Sequence, residues 1–147
     1  MANIAIASDH AGFALKAELA AELLKLGHVA LDFGPADTSS VDYPDFAQKV
    51  TTALNPGHAS LGVLVCGTGI GMSISANKVH GIRAALCHTE FEARATRAHN
   101  DANVLCLGQR VTGVGVALEI LRVFLATPFE GGRHQARVEK VRALEAK

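Results

Sequence analysis

The most chemically pointed stretch of the chain is VCGTGIGMS, residues 65–73, where Cys66 precedes Gly67, Gly69 and Gly71. Glycines let backbone approach a ligand closely and turn its N–H groups inward. Ahead of a helix, those amides and the helix dipole favour an anion. The same field raises the thiolate fraction of a cysteine held beside it. A thiolate next to an oxyanion hole suits proton abstraction beside a carbonyl, because the resulting enediolate carries negative charge on oxygen. Three commoner loop chemistries fail on spacing. A G-x-G-x-x-G fingerprint needs its third glycine at 72, where Met72 stands. A P-loop counted from Gly67 also meets Met72, then Ser73, and lacks its lysine. A phosphatase-like C-x-x-x-x-x-R loop needs arginine at 72. On the residues alone a second reading of Cys66 stays equally open: a small buried residue beside a tight turn. Cys87 and Cys106 read as core.

Three further clusters are polar. Asp9 and His10 follow an apolar strand directly. Asp9 either caps the helix that starts near Gly12 or points with His10 into a crevice at the sheet edge. His99 and Asn100 end a helix. A histidine there is first a dipole-favoured cap, and Asn100 suits the left-handed C-terminal position. Arg133 and Arg137 are four apart and share a helical face. With Glu130 and Glu139 they form either a solvated charged face or, behind Gly131 and Gly132, a forked phosphate site. Arg110 lies after the fifth strand at an edge where it could join them. His134 points elsewhere on the last helix. Tyr43 sits in a loop before Pro44 and either lines the crevice or packs.

The elements that must position these groups alternate. Strands are predicted at Ile4–Ala7, His28–Phe33, Leu61–Cys66, Ile82–Cys87 and Asn103–Leu107. Leu15, Leu19, Leu23 and Leu26 recur at helical spacing and predict a helix from about Gly12 to Leu26. Further helices are predicted from about Pro44 to Leu54, from the glycine loop to about Val79, and from a Thr89/Glu92 capping box to about Ala98. Another carries Val114, Ala117, Leu118, Leu121 and Leu125. A last one, about 131–146, carries Val138, Val141 and Leu144. The expected fold class is α/β: a three-layer α/β/α sandwich around a five-stranded parallel sheet, Rossmann- or flavodoxin-like. Ligands in such sheets bind outside the carboxyl ends of the strands.

The 147 residues suit one domain spanning 1–147. Lysine plus arginine equals aspartate plus glutamate at 14 each, so the net charge is zero and neither nucleic acid nor a membrane surface is expected as a partner. The opening MANIAIASDH lacks the basic start and long apolar run of a signal peptide. Three cysteines form neither a C-x-x-C pair nor an even set, which fits reduced thiols and a cytoplasmic location.

Taken together, SDHAGF at 8–13, DYP at 42–44, CGTGIGMSISANK at 66–78, RAHNDANVLCLGQR at 97–110 and EGGRHQARV at 130–138 resemble the sugar-phosphate isomerases of the type B ribose-5-phosphate isomerase family. That family also contains allose- and galactose-6-phosphate isomerases. The resemblance covers essentially the whole chain. It implies a cofactor-free and metal-free aldose–ketose interconversion, ribose 5-phosphate to ribulose 5-phosphate in the pentose phosphate pathway. It also implies a homodimer, or a higher oligomer, with active sites between subunits. By the family's motifs, Cys66 resembles the base that moves a proton between C1 and C2. Backbone at Gly67, Gly69, Ile70 and Gly71 would hold the enediolate. His99 resembles the acid that opens the sugar ring, assisted by Thr68. Asp9, His10 and Asn100 would contact sugar oxygens beside Tyr43, and Arg110, Arg133 and Arg137 the phosphate. One branch of the family uses a glutamate in the loop helix with serine at the cysteine position, but Gly67–Ala76 contains no carboxylate. The alternatives are an isomerase of a six-carbon sugar phosphate and a non-catalytic phospho-ligand-binding module.

Overall fold

Residues 1–146 are described by a computed structural model. Strand β1 (Asn3–Ser8) leads through a 3-10 turn (His10–Gly12) into α1 (Phe13–Lys25) and β2 (Val29–Asp32). Helix α2 (Tyr43–Leu54), β3 (Leu61–Cys66), α3 (Ile70–Ala76) and β4 (Ala84–Leu86) follow. Then come α4 (Glu90–Asn100), β5 (Val104–Gly108), α5 (Val114–Ala126) and α6 (Arg133–Ala143), closed by a 3-10 turn at Leu144–Ala146. The sheet is parallel with order β2-β1-β3-β5-β4. Strand order runs outward in opposite directions from β1 and β3, so the crevice of a doubly wound sheet opens at the carboxyl ends of those two strands.

The two-residue period of the strands sorts the core. Ile4, Ile6, Val63, Val65, Leu105 and Leu107 face α1 and α5, where Leu15, Leu19, Ile120 and Phe124 cover them. Ala5, Ala7, Leu64, Cys66, Val104 and Cys106 face α2 and α3. Small residues on this second face let Phe46, Val50 and Met72 approach the sheet. Lys16 is buried, and its Nζ donates to Asp32 Oδ1 at 2.9 Å and to the Pro35 carbonyl at 3.0 Å. The charge is thereby paired, as burial requires. It ties α1 to the turn beyond β2.

The expected elements are present, with four local differences. Strand β4 is three residues long rather than six, because it is an edge strand with one paired neighbour. Helix α3 stops at Ala76 rather than near Val79. Tyr43 is the first residue of α2, not part of the preceding loop. The left-handed position after α4 belongs to Asp101 (φ 49°), not Asn100, which is the last helical residue. Among the described residues no helix is long and apolar enough to cross a membrane.

Candidate active site

Strand β3 delivers Cys66 to the carboxyl edge, where it is 5% exposed. The chain then turns through Gly69, whose φ of +80° is a left-handed conformation that favours glycine. This turn aims the Gly69 N–H at the Cys66 Sγ, 3.1 Å away. The loop is clamped from β5: the Gln109 and Arg110 amides donate to the carbonyls of Cys66 and Gly67 at 2.9 and 3.0 Å. The amides of Gly67 and Thr68 have no acceptor among the described residues, and so are available to a ligand oxygen. The Thr68 hydroxyl accepts from the Ile70 amide at 3.2 Å. Ile70 itself is exposed.

The walls of this half-site come from four elements. The Arg110 guanidinium lies over Gly67, where a Cβ would sit 3.4 Å from Nη1. The Tyr43 ring presses on Gly71 so closely that a Cβ there would be 2.5 Å from Cε1. Any side chain at position 71 must displace the ring. Asp9 does cap the turn, accepting from the Gly12 amide at 3.0 Å, while remaining at the mouth of β1. His10 Nδ1 accepts from the Val41 amide at 3.2 Å. That bond places the proton of the neutral ring on Nε2, which is left as a donor.

His99, Asn100 and Arg137 are elsewhere. Helix α4 starts at the carboxyl edge and runs back along the sheet for 11 residues, about 16 Å at 1.5 Å per residue. Its last turn therefore reaches the amino ends of the strands. Arg83, directly before β4, donates from Nε to the Asn100 carbonyl at 3.1 Å and to the Asp101 carbonyl at 3.0 Å. A cavity of about 1030 Å³ opens at that edge, lined by His99, Asn100, His134, Arg137, Arg83 and Lys78 among others. Neither Cys66 nor any residue of its loop lines it. Arg133 is one turn before Arg137 and also lies outside the lining. The expectation that Arg110 joins these arginines fails within one chain, since Arg110 belongs to the thiol half.

One residue of this second half was misread from sequence. His134 does not point away; it is buried, and its ring stacks on His99 with centroids 4.3 Å apart and an interplanar angle of 12°. The signal was available. His134, Val138 and Val141 follow i, i+4, i+7 spacing, so His134 lies on the apolar stripe of α6. Burial pushes its pKa below the ordinary value, helped by His99 and Arg133. Ligand atoms of His99, Glu130 and His134 all lie within 4.8 Å of one another. The ring planes are nearly parallel, so the lone pairs of the two imidazoles lie in separate, nearly parallel planes rather than converging on one point. The neighbouring Arg133 and Arg137 also oppose a cation. The arrangement suits an anion better than a metal ion.

The three thiols differ in a testable way. Burial raises Cys87 to about 12 and drives Cys106 higher still, so both stay protonated near neutrality. Native protein treated with iodoacetamide at about pH 8 should therefore be alkylated at Cys66 first. Peptide mass mapping reads this, and equal labelling of Cys87 or Cys106 before unfolding would contradict it.

The fold and site are those of a parallel α/β protein with a thiol and glycine loop at its switch point and a basic cavity at the opposite edge, and its relatives are sugar-phosphate isomerases. The chain belongs to the ribose/galactose isomerase family, whose model matches residues 4–141. It is 45% identical over 145 residues to the ribose-5-phosphate isomerase B of Escherichia coli, covering 99% of this chain and 97% of that protein. It superposes with a TM-score of 0.97 on ribose-5-phosphate isomerase B of Clostridium thermocellum, at 50% identity over 98% of this chain and 97% of that one. The type B ribose 5-phosphate isomerase of Trypanosoma brucei gives 0.95 at 47% identity, covering 97% of this chain and 98% of that one.

Proposed function

We propose that the protein interconverts ribose 5-phosphate and ribulose 5-phosphate in the cytoplasm, as a homodimer with shared sites. The observation that carries the chemistry is the Gly69 amide held 3.1 Å from the Cys66 sulfur at the crevice. His99, with Thr68, opens the sugar ring. The Cys66 thiolate then takes the C2 proton and returns it to C1. Free amides of the 67–71 loop hold the negative enediolate oxygen between those steps. Asp9, His10, Tyr43 and Asn100 contact the sugar, and Arg110, Arg133 and Arg137 the phosphate. No electrons leave the sugar, so no cofactor is required.

The separation of the two groups supports the dimer. Cys66 and His99 belong to opposite sheet edges of one chain, and a second copy is the arrangement that would bring them together. Exposed Ile70 and Ile74 share a face of α3, and Phe91 is exposed on α4; such apolar surface supports self-association. The reading is tested by kcat/KM on ribose 5-phosphate, allose 6-phosphate and galactose 6-phosphate. Ribose 5-phosphate should lead by at least about tenfold, the scale on which a pocket resolves one carbon unit. A six-carbon substrate in the lead overturns the substrate assignment. Ligand binding without exchange of the C2 proton into solvent overturns the enzyme.

A further inference from the structure

We propose that His134 is a positioning residue for the ring-opening step: its buried ring fixes the exposed imidazole of His99 by stacking. The inference rests on the reading of His99 as the ring-opening acid. His99 is exposed on the last turn of α4 and makes no hydrogen bond among the described residues. A free imidazole there would sample several rotamers, and acid catalysis needs one within reach of the ring oxygen. The ring of His134, 7% exposed, supplies a rigid wall 4.3 Å away on α6. Its Nε2 lies 3.6 Å from Glu130 Oε2.

The pair also divides the labour of charge. Two stacked imidazoles resist carrying two positive charges. Burial first, then the neighbouring His99 and Arg133, disfavour the charged form of His134; Glu130 alone opposes them. A neutral His134 presents its π face to the His99 ring, and that contact favours the stack whenever the partner ring is cationic.

Substrate form separates this role from a structural one. Ribose 5-phosphate is mostly a closed ring, whereas ribulose 5-phosphate, with its C5 hydroxyl esterified, is open. Exchange of the ketose C1 proton into solvent thus bypasses ring opening. His134→Ala should slow turnover of ribose 5-phosphate by about tenfold through kcat, a fraction of what an acid contributes. Ketose exchange should stay within about twofold of the parent, since the step His134 serves is not used. His134→Phe, which retains a flat ring, should recover most of the loss. Proton NMR of the imidazoles should show the ring-current shift of His99 lost in His134→Ala and kept in His134→Phe. Unchanged aldose turnover in His134→Ala overturns the inference, and so do equal losses in both assays. An unshifted His99 signal overturns it as well. Failure of the underlying reading has its own signature: His99→Asn, rather than His134→Ala, would lose both assays equally, and that result removes the acid that His134 is proposed to hold.

Discussion

Cys66→Ala will yield a folded protein that binds phosphate-bearing sugars and does not isomerise them. The expected loss in kcat is about 10²–10⁴-fold, the usual contribution of a positioned base. Both directions should suffer alike, because the same group takes the C2 proton in one and the C1 proton in the other. The fold should survive: the substitution removes one buried sulfur and leaves the Gly69 amide without its acceptor, a cost of about 1–3 kcal/mol. Arg110 and the free amides of the loop remain, so ligand-induced thermal stabilisation should persist. Cys66→Ser should be nearly as inactive, since a hydroxyl ionises far less readily than a thiol. The decisive measurement is solvent exchange of the ketose C1 proton. Exchange at near parental rate in Cys66→Ala would place the base elsewhere.

The second large effect is recovery from two dead variants. His99→Asn should also be strongly impaired on the closed sugar, yet mixing it with Cys66→Ala should restore activity. Helix α4 carries His99 about 14 Å from the edge at which it started, and the cavity holding His99 includes no residue of the Cys66 loop. A site built across two copies then takes its thiol from one and its imidazole from the other. In a mixed dimer one site has both substitutions and the other has neither. Random exchange of subunits makes half the dimers mixed, so about a quarter of parental activity should return. Co-refolding the variants and assaying ribose 5-phosphate tests it. If the recovered activity is no greater than the sum of the two variants, thiol and imidazole act within one chain and the split-site reading is wrong.

Local chemistry was the legible part of this chain. Strand and helix periods located the elements, because burial of alternate or every third-to-fourth residue leaves a pattern in order along the chain. Asp9 after β1 and Thr89 before α4 were readable as caps, since a cap involves residues three apart. Cys66 could be narrowed to two readings by spacing, and Met72 removed three rival loop chemistries. The errors are local too. Asn100 was preferred for the left-handed position that Asp101 occupies, because the helix runs on to Asn100 rather than ending near Ala98. His134 was set aside because it lies off the face shared by Arg133 and Arg137, although its spacing put it with Val138 and Val141. A histidine can be buried when a second ring covers it, and that partner lies 35 positions away.

What no pattern along the chain could carry is which edge of the sheet each group reaches. The order β2-β1-β3-β5-β4 makes β4 an edge strand and sends α4 back toward the amino ends. Sequence by itself determined the α/β alternation and the cysteine with its glycine loop, and it left His99 and the arginines open between capping or a charged face and a role in the site. Only the tertiary structure decided that the amide of Gly69 meets the sulfur, that Tyr43 closes on Gly71, that His99 rests on His134, and that thiol and imidazole end on opposite edges. The physical reason is range. Periodicity and capping are set by neighbours within a turn or two, whereas distances between loops follow from strand order and crossover direction, which depend on the packing of the whole core.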